Sequence, residues 1–461
     1  MLEFEFVPAG METIYPYLVR LLGRNACKKI TKTILRAGLL SFGSELRRGK
    51  PLPESDEYIG ALYRNKLSLC EEFVEDGGYL FIDSGGYQVI TGYVLREDLP
   101  KFVDTYTQFL TQCKDNYSFA FSLDIPEFGG VGKRDEILQL NRLSLSMMDN
   151  LDDDIRKRIY FISHFNNKEV YDVWNTLIFE DKYIDKFCKF SIGGLVSSRP
   201  STKLMRYTLL ILGLLQIIVG LDYKLPNPFY FHILGSTIPR NILFYALMKE
   251  HIEHLFNVKV VFTYDSSVVF KKVALSRAFT YYDEETLSSY SVSLKSAELD
   301  DLHPVLRRKN RDIVMDTVRS MIEYAGLDVD EYMPSRIYDK WNATIDDEMK
   351  PWTLLIECYT LKRVSESCLQ LAKELYRYYE PHGDNTAFYS LIHDRFVKLS
   401  EKQFSEICQE YCASVITSLD YVYDFVTNKK QFDELKAFLS NFDSLLDIPT
   451  SNATEALVLP F

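Results

Sequence analysis

The chain has 461 residues, 47% of them hydrophobic, which is enough for one large core with an appendage or for several domains. Its formal net charge is -12, which excludes a protein coated in positive charge, so any nucleic-acid contact must come from a local basic patch. The 8 cysteines are scattered without short regular spacings, a pattern typical of reduced thiols in a cytoplasmic protein.

The N-terminal segment "MLEFEFVPAGMETIYPYLVR" (1–20) carries acids among its apolar residues, unlike a secretory signal. The longest apolar stretch, "YTLLILGLLQIIVGL" (207–221), is too short to cross a bilayer and predicts a buried helix. We therefore expect no membrane partner and a cytoplasmic location, which is the host cytoplasm if a phage encodes the protein.

A basic stretch covers residues 19–50 and predicts a patch that contacts phosphates with a steep salt dependence. A solvated helix face is the alternative interpretation. A second basic cluster, "RRKNR", lies at 307–311. The candidate nucleic-acid-binding residues are Arg20, Arg24, Lys28, Lys29, Lys32 and Arg36, and Arg47, Arg48 and Lys50 follow them.

Short runs of β-branched and aromatic residues recur through the first 280 residues, and each stops at Gly, Asp or Ser. They lie at 37–44, 79–86, 119–126, 160–165, 189–195, 229–236 and 258–267. Segments of helical period separate them, so the runs repeat roughly every 30 to 40 residues, the length of one βα unit. Runs that are apolar on both faces predict a parallel sheet.

The predicted fold class is therefore α/β, a (β/α)8 TIM barrel with an appended helical C-terminal region. We expect the eighth strand around 277–292, and a doubly wound open sheet is the alternative. After about residue 300 the pattern is helical. This predicts a catalytic barrel domain over 1–300 and a helical C-terminal domain over 301–461.

Three of the runs end in a carboxylate, and parallel strands bring their carboxyl ends to one rim. These residues are Asp83 in "DSGGYQ", Asp124 in "SLDIPE" and Asp265 in "FTYDSS". An isolated Asp before Ser-Gly-Gly is often a cap for the next turn. Three carboxylates on one rim repel one another unless a ligand, a metal or hydrogen-bond donors separate them, so the set as a whole indicates a functional site.

Two carboxylates on one rim suit a retaining glycosyl displacement, in which one attacks the anomeric carbon and the other manages the proton of the leaving group. A carboxylate metal site is the alternative. The two histidines within the runs, His164 and His232, are each interpreted as hydrogen-bonded core residues rather than ligands. Glycines allow a flat ligand to approach the backbone, and Tyr87 offers it a stacking face.

The motif "DSGGYQ" (83–88), with the other strand ends in order, resembles the tRNA-guanine transglycosylase family over residues 79 to 267. Members of that family are (β/α)8 barrels that exchange a guanine base for a 7-deazaguanine. The resemblance implies that Asp265 is the nucleophile, which attacks C1′ and forms a covalent glycosyl-enzyme. It implies that Asp83 is the general acid/base. Asp124 would accept two parallel N–H bonds from the base.

The resemblance also implies contacts to the two faces and edges of the base. Tyr87 and Leu234 would sandwich it, and Gly194 and Leu195 would offer backbone contacts. The family's Gln-Gly-Gly after the fourth strand is replaced by "FISHF", so Ser163 or His164 would take over that contact. The predicted base-binding residues are Ser84, Gly85, Gly86, Tyr87, Gln88, Asp124, Ser163, His164, Gly193, Gly194, Leu195, Leu234 and Gly235.

The chain departs from the family at two places. The Pro-Thr-Arg run after the nucleophile is replaced by "SSVVFKKVALSR", and the Cys-x-Cys-x-x-Cys zinc site with a later His is absent. "CQEYC" (408–412) has the spacing of helix packing, and "HIEH" (251–254) supplies two ligands, which do not make a site. We therefore predict no metal and no cofactor.

These departures favour the DNA-modifying branch of the family, with tRNA as the alternative substrate. The second reactant would be a free base such as 7-cyano-7-deazaguanine, and the target base would leave the helix stack. A homodimer and an ATP-driven helper remain open. Two other functions are alternatives: a non-catalytic nucleic-acid-binding relative, which Asp83 and Asp265 oppose, and a barrel glycosidase, which Asp124 and Tyr87 oppose.

Overall fold

A computed structural model of the chain gives its structure at atomic detail. It describes residues 2–126, 134–164, 168–194, 203–234, 239–266, 278–284, 288–293, 315–333, 349–396 and 401–428. The predicted base-binding residues Leu195 and Gly235 and the basic cluster at 307–311 lie outside these ranges.

Eight parallel strands form one sheet. They are β1 (Phe4–Pro8), β2 (Ala37–Ser41), β3 (Tyr79–Asp83), β4 (Phe119–Phe121), β5 (Ile159–Ser163), β6 (Lys189–Ile192), β7 (Phe229–Ile233) and β8 (Val260–Ser266). Their order is β1-β8-β7-β6-β5-β4-β3-β2. The backbone N–H of Gly10 donates to the carbonyl of Leu39 at 3.0 Å and joins the two ends. The predicted (β/α)8 TIM barrel is confirmed.

The seven predicted strands are confirmed as β2 to β8, but the prediction of the eighth strand around 277–292 is wrong. The eighth strand is β1, which pairs with β8 at the N-terminus of the chain. Two strands in the predicted region, β9 (Ala278–Asp283) and β10 (Ser288–Ser293), instead pair with each other in an antiparallel sheet. Strand β1 was not recognised in the sequence because Glu5 interrupts its apolar run. In the structure the Glu5 side chain is buried and forms an ion pair with Lys362.

Helices surround the barrel, and the predicted buried helix at 207–221 is confirmed as most of α10, which ends at Gly220. The helices are α1 (Met11–Leu22), α2 (Arg24–Thr33), α3 (Ser55–Asn65), α4 (Glu71–Glu75), α5 (Gly86–Ile90), α6 (Leu99–Gln112), α7 (Arg134–Asp149), α8 (Asp153–Arg156), α9 (Lys168–Asn175), α10 (Lys203–Gly220), α11 (Pro239–Phe256), α12 (residues 315–324), α13 (Val329–Tyr332), α14 (Met349–Tyr376), α15 (Thr386–Phe396) and α16 (Glu401–Thr427). Among the described residues, no helix is both long and apolar enough to pass through a membrane.

Shorter helical turns fill several connections. The 3-10 turns cover Phe42–Glu45, Leu67–Cys70, Arg96–Asp98 and Tyr183–Lys186, and a π-helical turn over Thr176–Glu180 continues α9. The turn Phe42–Glu45 follows β2 directly, so it lies at the carboxyl end of the barrel.

Aromatic side chains fill the interior of the barrel. Phe81, Phe121 and Tyr160 are fully buried there, and the ring centres of Phe121 and Tyr160 lie 5.4 Å apart. Near the amino ends of the strands, the Nζ atom of Lys189 lies 4.1 Å from the ring centre of Tyr230. Burial lowers the pKa of Lys189. The lower interior is therefore closed by packed rings, and ligands must approach from the opposite rim.

Helix α14 packs against the barrel although it lies beyond residue 300. It contacts α11 and β1. These two elements lie on either side of the place that the helix after β8 occupies in a (β/α)8 barrel. The Nζ atom of Lys362 lies 2.9 Å from Glu5, and the hydroxyl groups of Tyr264 and Ser365 are hydrogen-bonded. Side chains of α14 and of the barrel belong to one hydrophobic core, so the two predicted domains share it.

Candidate active site

The three predicted carboxylates lie at the carboxyl ends of their strands, on one rim of the barrel. Asp83 is the last residue of β3 and pairs in register with Ser41 of β2. Asp265 lies one residue before the end of β8, in register with Val7 of β1. Asp124 lies three residues beyond β4, which is the neighbour of β3. The rim is the edge at which TIM barrels carry their active sites.

The environment of Asp83 disfavours its charged form. The pKa of Asp83 is raised to about 6, chiefly by burial and also by the nearby charge of Asp124, and hydrogen bonds from Ser41 and from the backbone of Gly85 and Ser84 oppose part of this rise. The Oγ atom of Ser41 donates to Oδ2 of Asp83 at 2.7 Å. A carboxyl group that exchanges its proton near neutral pH is suited to general acid/base catalysis.

The glycines after Asp83 allow the turn to pack against neighbouring backbone. Gly85 has a φ angle of 83°, and a Cβ atom on it would lie 3.0 Å from the backbone nitrogen of Gly43. A Cβ atom on Gly86 would lie 2.7 Å from the carbonyl oxygen of Asp124. In the structure these glycines pack the β3 turn against its neighbours on the rim, and the approach of a flat ligand to this backbone stays a prediction.

Polar side chains of this turn have unused hydrogen-bonding capacity. The hydroxyl group of Ser84 and the Oε1 atom of Gln88 are buried, and neither has a hydrogen-bond partner among the described residues. The Nε2 atom of Gln88 lies 3.5 Å from the Oγ atom of Ser41, the group that binds Asp83. Gln88 thus lines the rim beside Asp83.

Tyr87 is largely exposed beside Asp83, with 67% of its surface accessible. It lies in the first turn of α5. Leu234 follows β7, is partly buried and packs against the interior cluster. Because β3 and β7 lie four strands apart in the eight-stranded order, Tyr87 and Leu234 occupy opposite sides of the mouth. A flat ligand over the mouth could meet both side chains.

Asp124 is held by His164. The Nε2 atom of His164 and Oδ2 of Asp124 are hydrogen-bonded, and the two residues are 5% and 9% exposed. The ring centre of Trp174 lies 5.1 Å from that of His164. A Cβ atom on Gly193 would lie 2.5 Å from the His164 ring, so this glycine makes room for the imidazole. The Nδ1 atom of His164 has no hydrogen-bond partner within the described ranges.

Ser163 points away from the mouth. It is fully buried, and its hydroxyl group donates to Oε1 of Gln216 in α10, whose Nε2 atom donates to Asn175 at 2.7 Å. Its neighbour Ile162 belongs to the interior cluster, and successive strand residues point to opposite faces. Of the two residues expected to replace the missing Gln-Gly-Gly contact, the structure places His164 at the site and Ser163 in the helix layer.

Asp265 lies above a buried histidine that the sequence did not associate with it. The Nε2 atom of His232 lies 4.0 Å from Oδ1 of Asp265, and its Nδ1 atom lies 2.8 Å from the hydroxyl oxygen of Thr263. Burial lowers the pKa of His232 to about 3, so this imidazole is neutral. The interpretation of His232 as a hydrogen-bonded core residue is confirmed. Gly194, at the rim after β6, has a φ angle of 83°.

The predicted basic patch lies at the other end of the barrel. Helix α1 runs back from the rim after β1, and α2 ends just before β2 begins at the amino ends of the strands. Arg24 binds Glu75 at 2.6 Å, and Lys29 donates to the carbonyl of Gly326 at 2.7 Å. The structure therefore does not bring this patch to the carboxylates.

The other members of the patch differ in exposure. The guanidinium group of Arg36 lies 3.4 Å from Glu5, and that of Arg20 lies 4.4 Å from the ring centre of Tyr17. Lys28 and Lys32 are exposed. Two of the six predicted residues thus have side chains without such contacts in the described part of the chain.

The last part of the basic stretch at 19–50 follows β2 and comprises Arg47, Arg48 and Lys50. We call this segment the rim loop. All three side chains are exposed, and none forms an ion pair with a described residue. Because β2 is the neighbour of β3, this loop leaves the barrel beside Asp83. The sequence shows these cations at the end of the basic stretch. Their position after the predicted strand at 37–44 is the signal that could have distinguished them from the basic residues of α1 and α2.

No cluster of three or more His, Cys, Asp or Glu side chains that could hold a metal ion occurs in the parts of the chain that the structure describes. The chain matches no model of a known protein family, and no curated protein matches its sequence.

Proposed function

We propose that the protein is a nucleic-acid guanine transglycosylase that replaces guanine with a 7-deazaguanine, in DNA, through a covalent aspartyl-glycosyl intermediate. The observation that carries the proposal is the presence of Asp83 and Asp265 on one rim, with the pKa of Asp83 raised by burial to about 6. A retaining displacement uses two carboxyl groups, one of them able to exchange a proton near pH 7, and this rim supplies such a pair.

Asp265 supplies the nucleophile in this mechanism. One of its carboxylate oxygens attacks C1′ of the nucleotide, the C1′–N9 bond breaks, and an ester to the sugar forms. Asp83 donates a proton to the departing guanine, which leaves as the neutral base. Asp83 then takes the N9 proton of the incoming base, which attacks C1′ and releases Asp265. The proton that leaves with guanine is replaced by the proton of the incoming base.

Asp124 is proposed to recognise the base. Its carboxylate is oriented by His164 and can accept hydrogen bonds from the N1–H and 2-amino groups that guanine and its 7-deaza analogues share. When Nε2 of His164 donates to Asp124, its Nδ1 atom carries a lone pair and can accept a further N–H bond. The exposed ring of Tyr87 supplies a stacking face.

The rim loop is proposed to bind the phosphates around the target nucleotide. Arg47, Arg48 and Lys50 are exposed beside β3, whereas the patch on α1 and α2 lies at the opposite end of the barrel. The nucleotide must leave the helix stack before C1′ can be attacked in line. Cations on the same rim as Asp83 can hold the flanking backbone while the base enters the mouth.

The test is incorporation of labelled guanine into nucleic acid by the purified protein, with matched DNA and tRNA offered in parallel. We expect incorporation into DNA, and Asp265→Ala should lower it by about 10³-fold or more because no ester can form. Asp115→Ala is the matched control, since Asp115 is exposed in the connection before β4, at the amino ends of the strands. Incorporation into tRNA alone would identify the other substrate, and wild-type activity in Asp265→Ala would refute the nucleophile.

A further inference from the structure

The histidine beneath Asp265 has a hydrogen-bonding group that the barrel leaves unused. His232 is fully buried in β7 and pairs in register with Thr263 of β8. Thr263 lies two residues before Asp265 on β8. Its Nδ1 atom lies 2.8 Å from the Thr263 hydroxyl oxygen. Its Nε2 atom has no hydrogen-bond partner among the described residues and lies 4.0 Å from Oδ1 of Asp265.

The orientation of the imidazole is fixed by its surroundings. The ring centre of Phe121 lies 4.7 Å away, and those of Phe81 and Tyr160 lie 5.9 Å away. These rings are fully buried, so the imidazole has no room to turn toward solvent. A buried polar atom without a partner is unfavourable, and Asp265 is the acceptor that Nε2 faces.

The proton of the neutral imidazole has two possible positions. If the Thr263 hydroxyl group donates to Nδ1, the hydrogen is on Nε2 and faces a carboxylate, which has acceptor atoms alone when ionised. The other tautomer would place the Nε2 lone pair against the lone pairs of Asp265. The carboxylate of Asp265 therefore favours the Nε2–H tautomer, and the Thr263 hydroxyl group is compatible with it because it can donate to Nδ1.

We propose that His232 is a positioning residue that donates a hydrogen bond from Nε2 to Oδ1 of Asp265 and directs Oδ2 toward C1′. This inference rests on the proposed glycosyl transfer. The 4.0 Å separation closes by a rotation of the carboxylate, as catalytic hydrogen bonds often tighten when a substrate binds. His232 keeps its proton throughout. In the ester, Oδ1 is the carbonyl oxygen and still accepts the hydrogen bond from Nε2 of His232. When the ester breaks, the same N–H group stabilises the negative charge that returns to the Asp265 carboxylate.

The first experiment needs no substrate and reads the tautomer by 15N NMR of protein labelled in its 7 histidines. His232→Phe assigns the resonance. We expect the Nε2–H tautomer, and Asp265→Asn should shift its Nε2 and proton resonances while those of His251 stay in place. His251 is a matched internal control because it is equally buried and its pKa is likewise lowered to about 3. An Nδ1–H tautomer, or no response to Asp265→Asn, would overturn the inference.

The second experiment measures base exchange. His232→Phe should lower kcat by about 10- to 100-fold with KM for the free base unchanged, because the nucleophile is misplaced while base recognition is intact. His232→Gln, which keeps an N–H donor, should restore most of kcat, and Thr263→Val should cause a smaller loss. His251→Phe is the control for burial and should leave kcat unchanged.

The outcomes separate this inference from the proposed function. If the wild-type protein shows no exchange, the proposed function fails, and the NMR tautomer still judges the contact between His232 and Asp265. If the wild type is active and His232→Phe keeps its kcat, the inference alone fails. Equal losses in His232→Phe and His232→Gln would also overturn it, since a general packing defect would then explain both.

Discussion

The carboxyl group of Asp83 is held where its charged form is disfavoured. Its pKa is raised from the usual 3.8 to about 6, chiefly by burial and then by the charge of Asp124. Between these values the folded protein keeps a proton on Asp83 that the unfolded chain has lost. Stability therefore falls as pH rises through this window, and the full penalty is present above about pH 6. The ionised form of Asp83 at neutral pH thus has a cost in folding free energy.

Asp83→Asn should abolish base exchange and stabilise the fold. The amide carries no charge, so at pH 7 its free energy of unfolding should exceed that of the wild type by about 1 to 3 kcal/mol. Near pH 4 the difference should be small, because the wild-type carboxyl group is then protonated in the folded state. Urea unfolding at both pH values measures it. Ser41 can still donate to the amide oxygen, so the hydrogen bond at this position is kept.

Asp115→Asn is the control for this experiment, because Asp115 is exposed at the opposite end of the barrel. It should show no pH-dependent gain. A gain of equal size in both variants would point to net charge rather than burial. No gain in Asp83→Asn at pH 7 would contradict the raised pKa.

The carboxylates of the site could be predicted from the sequence because each ends an apolar run, and parallel strands align such ends. The orientation of Ser163 could also have been inferred, since strand alternation places it opposite Ile162. The contact between His232 and Asp265 could not, because it depends on the register of β7 against β8. Spacing along the chain does not encode that register.

Strand β1 and helix α14 are joined by a buried ion pair. The Nζ atom of Lys362 lies 2.9 and 3.0 Å from the two carboxylate oxygens of Glu5. Both residues are almost fully buried, and burial raises the pKa of Glu5. The guanidinium group of Arg36 lies 3.4 Å from the same carboxylate. The pair connects the strand that closes the barrel to a helix from the far end of the chain.

Lys362→Met should lower the free energy of unfolding by about 3 kcal/mol, because it leaves the Glu5 carboxylate buried without its main partner. Thermal or urea unfolding at pH 7 measures the loss. Adding Glu5→Gln should recover part of it, since the uncompensated charge is then removed. A loss in Lys362→Met that the second substitution does not reduce would contradict the electrostatic explanation.

Lys224→Met is the matched control, with the same substitution at an exposed ion pair. Lys224 lies 2.7 Å from Asp222, and both side chains are 81% exposed. Solvent screens such a pair, so the free energy of unfolding should not change measurably. A similar loss in both lysine variants would mean that the Met side chain, and not the broken buried pair, is responsible.

Strands β2 to β8 could be predicted because β-branched and aromatic residues dominate the run that contains each of them. Strand β1 could not, because the burial of Glu5 depends on Lys362, which lies 357 positions away. The region at 277–292 has the aromatic composition of a strand, and β9 and β10 do form there. Composition does not tell whether such a strand joins the barrel or its own antiparallel partner.

The whole molecule has two chemically different ends. The rim carries Asp83, Asp124 and Asp265 together with the exposed rim loop, while the amino ends of the strands carry the basic residues of α1 and α2. Because the net charge is -12, the proposed binding of nucleic acid requires a place where cations are concentrated. The phosphates of a substrate whose base enters the mouth lie near the rim, so the cations of the rim should dominate affinity.

Replacing Arg47, Arg48 and Lys50 of the rim loop with Ala should weaken oligonucleotide binding and reduce the salt slope by about 2 to 3, since each lost phosphate contact removes about one released counterion. Titration of a labelled oligonucleotide at several salt concentrations gives both quantities. The unfolding free energy should be unchanged, because these side chains form no ion pair with a described residue.

The matched control removes the same number of charges from the other end, by replacing Arg20, Lys28 and Lys32 with Ala. These side chains are exposed on α1 and α2. Because each triple variant loses three positive charges, the two variants have equal net charge. If the rim contacts the phosphates, the control keeps the wild-type slope. If the control loses the slope and the rim variant keeps it, nucleic acid binds along α1 and α2, far from Asp83. A base held by that complex could not reach Asp265, so this outcome would contradict the proposed glycosyl transfer as well as the rim contact.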